Sequence, residues 1–521
     1  MIPLVLKIAC LTAAAFNFVV QAVYFTHMLQ LNSYRPERYR KWCRDHDEQL
    51  VNVKHLIPFL CIPAMWLQGK VDESILYGAA TVILLFTALL NFPKKAKKPL
   101  VVTPRVWRLF IAQFLILALV VVSCVFMSAQ RAIGIVGLFS IIVWLWTGVA
   151  AYITLPLENR IAKGFVDDAA RILKEHKNLI VIGITGSYGK TSVKNFLHAL
   201  LSVKYNTLMT PGSYNTTMGV VRTVREMLRP SHEIFLAEMG AKQAGDIKEI
   251  CDLVHPQYGI ISSIGEQHLE TFKTVENIIA TKFELADALP QDGIAFLNTD
   301  NVYIRERAVA VPTVTYGAAA DSNADYRASD LQVSAAGSSF TFTTPDGESR
   351  QFTTKLLGAH NIQNLAGCMA IAHTLGVTLD EMVYAVRMLK PVEHRLQLLP
   401  NGFIDDAYNS NPAGFRGALD TLALFDARRI LVTPGMVELG EKQEELNREL
   451  GAYAADKCDI AVLVGEKQAP PLKEGLLSAG FAEEKIYVAK TLQDGLAYMQ
   501  ALPKTEKQIV LLENDLPDNF N

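Results

Sequence analysis

Long apolar runs are confined to the first 155 residues of the chain. A membrane-spanning helix needs about 20 apolar residues, and four runs approach or exceed that length: residues 4–25, 75–92, 106–127 and 132–155. A fifth run, residues 56–67, is short and contains Pro58 and Pro63, which fits either a kinked span or a re-entrant segment. The pattern predicts an α-helical membrane region of four or five spans.

Basic residues between the runs predict the orientation of this region. Cytoplasmic loops of membrane proteins are enriched in lysine and arginine, and one loop without acids carries Lys94, Lys95, Lys97, Lys98 and Arg105. If that loop is cytoplasmic, everything after residue 155 is cytoplasmic too. Five spans would place the basic stretch 35–44 inside and the N-terminus outside, whereas four spans would leave that stretch outside. A cleaved signal peptide fits poorly, because the first run is too long and further runs follow it.

Short apolar segments alternate with amphipathic segments from residue 156 to the end of the chain. Apolar runs near residues 180, 235 and 260 are each followed by a helical pattern, which predicts parallel strands joined by crossover helices. A second alternation begins at Phe403 and predicts a smaller, doubly wound (Rossmann-like) sheet. We therefore expect a transmembrane region at 1–155, a central α/β domain at 156–395 and a C-terminal α/β domain at 396–521.

Composition excludes several classes of protein. The 521 residues are 50% hydrophobic and 20% charged, with a formal net charge of -2 and a mean hydropathy of +0.20. This apolar content excludes a disordered chain. The near-zero net charge lacks the excess of basic residues that is typical of nucleic-acid-binding proteins. The seven cysteines are scattered without CxxC spacing, which excludes a disulfide scaffold. The apolar runs carry neither a carboxylate nor a row of charges, which favours an anchor over a transport path.

The segment 179–200, LIVIGITGSYGKTSVKNFLHAL, predicts a phosphate-binding loop. A strand ends in a glycine loop and a helix follows, the arrangement in which backbone N–H groups surround phosphate. Lys190 supplies a charge for the outer phosphates, and the Thr191 hydroxyl can ligate Mg²⁺. Glu238 ends another predicted strand and can hold the same ion. We expect six residues to bind the nucleotide phosphates: Gly186, Ser187, Gly189, Lys190, Thr191 and Ser192.

This loop reads T-G-S-Y-G-K-T-S and resembles that of the Mur ligase family, the ATP-dependent enzymes that build the peptidoglycan stem peptide. The resemblance continues in order over residues 175–521 and implies a P-loop central ATPase domain followed by a Mur ligase C-terminal domain. It also implies two Mg²⁺ ions held by Thr191, Glu238, His268 and Lys282, with Lys282 carbamylated. Without the resemblance, His268 is a structural histidine and Lys282 is a lysine that extends its ammonium to solvent.

Two further segments resemble the family's sequence around the nucleotide, FLNTDN at 296–301 and LLGAHNIQNLA at 356–366. They imply ATP contacts by Asn298, His360, Asn361 and Asn364, since side-chain amides can both donate to and accept from a purine edge. A helix cap is the alternative role for Asn361. Arg395, in PVEHRLQLL, matches the family's hinge arginine and completes the implied nucleotide site.

Residues 405–412, DDAYNSNP, resemble the D-D-x-Y-N-A-N-P signature of the D-alanyl-D-alanine-adding branch of this family. The resemblance implies that Asp406 orients the nucleotide or meets its phosphate-bound metal when the domains close. The loop 434–441, PGMVELGE, matches a second signature but has Pro434-Gly435-Met436 for Gly-Asp-Met, and Asn447 stands where the branch has histidine. Catalysis is expected from Lys190, His268, Lys282 and Asp406, and substrate contacts from Asn215, Thr216, Tyr408, Asn409 and Asn411.

The implied reaction is ATP-dependent amide formation through an acyl phosphate, with an amino acid or a dipeptide such as D-Ala-D-Ala as the amine. The spans occupy the place of the family's UDP-binding domain, so the carboxylate substrate is expected to be either a lipid-linked cell-wall precursor or the soluble UDP precursor. The expected location is the bacterial plasma membrane, with the spans in lipid. Two alternatives are a non-ligating anchored P-loop ATPase or regulator, and a folyl- or poly-γ-glutamate-type synthase, which DDAYNSNP disfavours.

Overall fold

The computed structural model describes residues 2–50, 52–67, 70–93, 98–266, 269–408, 410–437, 439–465, 468–503 and 507–515. The chain divides into two compact units, residues 1–164 and residues 165–517. The first, called the helical unit below, has helices as its regular elements in the residues that are described. The second, the α/β unit, contains two separate β-sheets.

The helical unit is built from apolar helices packed side by side. Its elements are α1 (Ile2–Leu31), α2 (Pro36–Asp45), α3 (Asp47–Leu50), α4 (Val53–Leu56), a 3-10 helix (Ile57–Trp66), α5 (Glu73–Leu90), α6 (Pro104–Val125), α7 (Ala129–Ile141) and α8 (Val143–Glu175). Among the described residues, α1, α5 and α6 are long and apolar enough to cross a membrane. Their outward faces are hydrophobic, as a helix surrounded by lipid requires.

Two of the predicted spans differ in the structure. The run 132–155 is not one straight helix, because α7 ends at Ile141 and α8 begins at Val143 with a bend of 73°. The run 56–67 forms α4 and the 3-10 helix, and prolines 58 and 63 remove the N–H donors that a regular helix would need there. The described residues thus offer three candidate spans, or four if the bent pair counts as one, and the expectation of five is not met.

The large sheet of the α/β unit has the strand order β2-β3-β1-β4-β5-β6-β7-β8-β9, parallel as far as β7 and antiparallel from there on. Its elements are β1 (Ile180–Thr185), α9 (Lys190–Leu201), β2 (Thr207–Met209), α10 (Thr217–Met227), β3 (Ile234–Glu238), α11 (Asp246–Val254), β4 (Tyr258–Ile261), α12 (Leu269–Phe272), α13 (Val275–Asp287), β5 (Ile294–Asn298), α14 (Val302–Arg305), β6 (Thr313–Gly317), β7 (Tyr326–Ser334), β8 (Gly337–Thr343), β9 (Ser349–Thr354), α15 (Ala359–Thr374) and α16 (Leu379–Met388).

Apolar runs without alternation explain the central strands of this sheet. All five residues of β3 are buried, as expected for a parallel strand covered by helices on both faces. One core lies between the sheet and α9, α15 and α16, and the other lies under α10, α11 and α13. The antiparallel extension β7–β9 was not predicted from the sequence. The carboxyl ends of β1, β3 and β4 meet at one edge, where open α/β sheets bind their ligands.

The small sheet has the order β10-β11-β15-β12-β13-β14, parallel except for β10, and is covered by helices. Its elements are β10 (Gln397–Leu398), β11 (Phe403–Asp406), α17 (Pro412–Ala423), β12 (Arg428–Thr433), a 3-10 helix (Gly440–Lys442), α18 (Gln443–Ala454), β13 (Ile460–Val464), α19 (Ala469–Ser478), a second 3-10 helix (Glu483–Lys485), β14 (Ile486–Ala489), α20 (Leu492–Ala501) and β15 (Gln508–Glu513). The predicted doubly wound parallel sheet is confirmed, with apolar cores on both of its faces.

Candidate functional site

Two glycines shape the loop between β1 and α9. Gly186 has φ +150° and Gly189 has φ +80°, both in the region that favours glycine. A Cβ atom on Gly186 would lie 2.2 Å from Ser262 Oγ, and one on Gly189 would lie 2.6 Å from Asn364 Oδ1. The loop therefore turns tightly into α9, whose first N–H groups have no partner within the helix and can bind an anion.

Lys190 folds back over this loop. Its Nζ donates to the carbonyl oxygens of Gly186 at 2.7 Å and Ser187 at 3.0 Å. Burial lowers the pKa of Lys190 to about 8, with Glu238 opposing the shift and Arg395 adding to it. The hydroxyl of Ser187 donates to Gly265 O and ties the loop to the end of β4. The ammonium is thus held beside the anion site by carbonyls alone, which phosphate oxygens can replace.

Glu238, the last residue of β3, contacts three other polar side chains of the site. Its Oε1 accepts from Thr191 Oγ1 and from Asn215 Nδ2, each at 3.1 Å. Its Oε2 lies 2.9 Å from Lys194 Nζ, and both side chains of this pair are 1% exposed. Burial raises the pKa of Glu238, but the two lysines at 194 and 190 outweigh it, so the net pKa lies below its usual value.

This arrangement suits a divalent cation bound together with phosphates. A hydroxyl and a carboxylate oxygen 3.1 Å apart form the oxygen donor set that Mg²⁺ takes, so Thr191 and Glu238 fit the ion. Lys194 was not predicted from the sequence as a residue of this site. The feature that could have indicated it is its position, one helical turn after Lys190 on the same face of α9.

The expected second metal position has one described residue, Lys282 on α13. Its side chain is 3% exposed, and burial, followed by the charge of Lys190, holds its pKa well below the usual value. An ammonium cannot ligate a metal, so the protonated form of Lys282 does not fit this role, whereas its carbamate would. His268 lies outside the described residues, and the part of the chain that is described gathers no group of three or more His, Cys, Asp or Glu side chains.

Several residues expected to contact ligands are buried or make hydrogen bonds within the fold. Asn298 is fully buried, with Nδ2 donating to Ser262 O and Oδ1 accepting from Asp300 N. Asn361 donates to Leu357 O from within α15. Helix caps are formed by Thr216, which accepts from Gly219 N, and by Asn411, which accepts from Gly414 N. Ser192 is buried in the first turn of α9.

The two remaining nucleotide candidates on α15 differ in position. Asn364 is buried directly against Gly189. His360 stands at the exposed start of the helix. Two segments were expected near the adenine of ATP. The structure places Asn364 of one segment against the phosphate loop, whereas Asn298 of the other is buried in the core.

The hinge segment carries the C-terminal domain to the same loop. Arg395 Nη2 donates to Thr191 Oγ1 at 3.2 Å, and its guanidinium lies 4.5 Å from the centre of the Tyr408 ring. This places a permanent positive charge beside the phosphate loop, and Tyr408 is half-exposed. Asn409, the next residue of the signature, lies outside the described residues.

Asp406 ends β11 in register with Glu513 at the end of β15. Burial raises the pKa of Asp406 to about 6, and burial together with Asp406 raises that of Glu513 well above its usual value. Ser410 Oγ donates to Glu513 Oε1 at 2.6 Å. Leu396 N donates to Asp406 Oδ1 at 3.0 Å, which fixes the carboxylate beside the hinge. Glu513 was not found from the sequence.

Asn447 holds the second signature loop. The residue is completely buried, and its amide donates to Met436 O and Gln443 O and accepts from Met436 N. Gly435 adopts φ +77°. The two departures from the branch pattern therefore pack against each other, since the side chain at 447 supports the backbone at 435–436.

Two cavities lie on either side of the phosphate loop, between the parts of the α/β unit that carry the large and the small sheet. One has a volume of about 630 Å³ and lies between α9, the hinge and Tyr408, with Thr191 and Arg395 at one end. The other, about 350 Å³, lies between Tyr188, Asn301 and α17. Lys442 of the C-terminal domain pairs with Glu266 of the central domain at 2.8 Å. The domains are therefore close enough to bind a ligand jointly.

The sequence matches two models of one family. Residues 184–372 match the Mur ligase middle domain, and residues 394–512 match the Mur ligase, glutamate ligase domain. The chain is 33% identical over 294 residues to UDP-N-acetylmuramoyl-tripeptide--D-alanyl-D-alanine ligase of Escherichia coli and 31% identical over 293 residues to the protein of that name in Bacillus subtilis. Each alignment covers 55% of this chain, but only 65% and 63% of the relatives' length.

Solved structures show the same likeness. The MurF of Acinetobacter baumannii superposes with a TM-score of 0.63 at 27% identity, covering 68% of this chain and 77% of that chain. The MurF ligase of Thermotoga maritima in complex with ADP has a TM-score of 0.61 at 25% identity, covering 68% and 80%. Through its middle and glutamate ligase domains, the chain belongs to the Mur ligase family.

Proposed function

We propose that this protein is a membrane-anchored, ATP-dependent amide ligase that acts on a peptidoglycan precursor. One observation carries the proposal. Lys190, Thr191 and Glu238 of the central domain and Arg395 of the hinge converge on one loop, so that two domains can close around a polyphosphate. The division into domains 1–155, 156–395 and 396–521 is part of this proposal.

The proposed reaction has two steps. An oxygen of the substrate carboxylate attacks the γ-phosphorus of ATP, and ADP leaves. The amine then attacks the carbonyl carbon of the acyl phosphate. The amide forms, inorganic phosphate leaves, and the amine gives up its proton to the phosphate. Lys190 and Arg395 lie where negative charge builds up in the first step, which is the usual source of electrostatic stabilisation.

Mg²⁺ would be held by Thr191 and Glu238 and, when bound, would neutralise the charge that separates phosphate and carboxylate. The carbamate of Lys282 would supply oxygen ligands for a second ion. Burial supports that modification, because it lowers the pKa of Lys282 and so favours the neutral amine, the form that adds to CO₂. His268 is proposed as a further ligand on the family resemblance alone.

Water exclusion is the proposed role of the closed C-terminal domain. Water would hydrolyse an acyl phosphate, and closure around a reactive intermediate prevents this. Asp406 would orient the nucleotide from the C-terminal side, while Tyr408 and Asn215 would contact the substrate. Asn409 is proposed as a further substrate contact on the family resemblance alone. Within this group, Asn215 already reaches Glu238.

The substrates follow from the named relatives. The E. coli relative is a ligase of UDP-N-acetylmuramoyl-tripeptide and D-alanyl-D-alanine, so we propose a dipeptide as the amine and a peptidoglycan-precursor carboxylate as its partner. A lipid-linked precursor is proposed beside the UDP-linked one, because the apolar helices α1, α5 and α6 would hold the ligase at the plasma membrane. Flotation of the full chain with vesicles after an alkaline wash tests the anchoring.

Phosphate release from ATP tests the ligase assignment. We expect release by the full chain to need the carboxylate substrate and the amine, and hydroxylamine to trap the acyl phosphate when the amine is left out. K190A removes the charge that holds the phosphates and should abolish both signals. Release at the same rate without any carboxylate substrate would instead support a non-ligating ATPase.

A further inference from the structure

Helix α2 packs along the first half of α8 in the helical unit. Tyr39 Oη donates to Trp144 O at 3.0 Å, and the Arg40 guanidinium donates to Tyr152 Oη. Because α8 departs from the direction of α7 by 73°, this half of α8 does not continue α7. We call α2 together with residues 143–158 the α2–α8 surface.

Exposed apolar residues show where this surface lies relative to lipid. Along α6 the outward positions Ile111, Phe114, Leu115, Leu119 and Val122 are between 55% and 71% exposed and carry no charge. This face ends at the start of α6 with an exposed tryptophan, Trp107, next to Arg108. Tryptophan and basic residues at the end of an apolar face mark the boundary between hydrocarbon and water.

An ion pair connects that boundary to the α2–α8 surface. Arg108 of α6 binds the carboxylate of Glu158 on α8 through both oxygens, with Nη2 and Oε2 2.9 Å apart. Arg105 lies 3.7 Å from the same carboxylate and stacks on the ring of Tyr34, just before α2. The α2–α8 surface thus lies at the level where the lipid headgroups begin.

The surface has an apolar side and a basic side. Tyr39, Trp42 and Cys43 of α2 are buried, while Arg40 and Arg44 are exposed. Residues 35–44 contain five basic residues and one acid, Glu37. Asp45, the last residue of α2, lies 3.9 Å from Arg44 with both side chains exposed, and the acids at 47 and 48 follow. The Glu158 carboxylate is paired with Arg105 and Arg108, so it does not offset the positive charge of α2.

We propose that the α2–α8 surface binds the phosphate groups of anionic phospholipids, with Arg40 and Arg44 as the contacting side chains. A basic amphipathic helix lying in the interface is attracted to anionic headgroups, and each arginine near the surface strengthens binding about fivefold. The inference rests on the proposed membrane anchoring. It adds that the ligase prefers anionic lipid next to its spans.

Tryptophan quenching by brominated lipids tests the inference on the full chain in phosphatidylcholine vesicles. With Trp66, Trp107 and Trp146 replaced by phenylalanine, the remaining Trp42 and Trp144 report on the surface itself. Brominated phosphatidylglycerol should quench more strongly than brominated phosphatidylcholine at equal content. Double substitution R40Q/R44Q should weaken the preference by up to about thirtyfold, and high salt should also weaken it.

Two matched variants separate charge from folding. R40K/R44K keeps both charges and should keep the preference, and R131Q removes an exposed arginine of α7 away from the surface and should leave it unchanged. Equal quenching by both lipids in the wild-type chain, or an unchanged preference in R40Q/R44Q, would overturn the inference while flotation still supports anchoring. Failure of the wild-type chain to float would overturn both.

Discussion

Replacing Lys194 by methionine would leave the Glu238 carboxylate buried without its cation. Both side chains are 1% exposed and their charged atoms are 2.9 Å apart. Removing one partner of such a pair costs about 3–5 kcal/mol, because the remaining charge is desolvated, although Lys190 still offsets part of the Glu238 charge. Thr191 and Asn215 still donate to the other carboxylate oxygen, so we expect the lower end of this range, about 3 kcal/mol.

Thermal unfolding of the full chain without nucleotide measures this cost. At about 2–4 °C per kcal/mol for domains of 150–250 residues, K194M should lower the melting temperature of the α/β unit by roughly 6–12 °C. The matched control is K248M, because Lys248 pairs with Asp252 at 2.6 Å while both side chains stay more than half exposed. An exposed pair contributes under about 1 kcal/mol, so K248M should melt close to the wild-type protein.

The double variant K194M/E238Q completes the thermodynamic cycle. Without the carboxylate charge, loss of the ammonium should cost much less than it does in the wild-type protein, so the two substitutions should be strongly non-additive. The reasoning is refuted if K194M has the melting temperature of the wild-type protein. It is also refuted if the free-energy losses of the two single variants add up to that of the double variant.

Three further changes have distinct expected results. G186A places a Cβ 2.2 Å from Ser262 Oγ at a φ of +150°, so ADP binding measured by calorimetry should be lost; wild-type affinity would contradict the loop geometry. N447L leaves the backbone of Met436 without its buried partners and should destabilise the C-terminal domain by about 2–4 kcal/mol in denaturant unfolding. Since burial lowers the pKa of Lys190 to about 8, its ammonium form is complete below that pH and lost above it, so ADP affinity should fall between about pH 7.5 and 9 in the wild-type protein and stay flat in K190A.

The phosphate loop was predictable because its signal is local. A strand, glycines at 186 and 189, and Lys190-Thr191 at the start of a helix are contiguous in sequence, and each has a direct physical role at an anion site. The partners of this loop are remote. The role of Lys194 depends on Glu238, which lies 44 residues further along the chain and is brought close by the pairing of β1 with β3.

Polar residues at helix starts were harder to assign. Asn361, Asn411 and Thr216 have the side chains that bind ligands, but the same side chains satisfy backbone groups at helix ends. In the structure all three make such local bonds. A motif identifies where these residues lie, and only the fold shows which groups remain available.

The helical unit shows a different limit. The run 132–155 is apolar throughout, so hydropathy cannot reveal that the helix direction changes by 73° at Ile142. Apolar length predicts that a segment can be embedded in lipid, whereas its direction depends on packing against neighbours such as α2 and α5.

Incorporation of a labelled dipeptide tests the central claim most directly. The full chain in membranes would be given MgATP, labelled D-Ala-D-Ala and either UDP-linked or lipid-linked precursor, and product would be separated into water-soluble and lipid fractions. We predict one labelled amide formed for each phosphate released, with neither product in K190A. Phosphate release without any labelled amide from either precursor would contradict the assignment as an amide ligase.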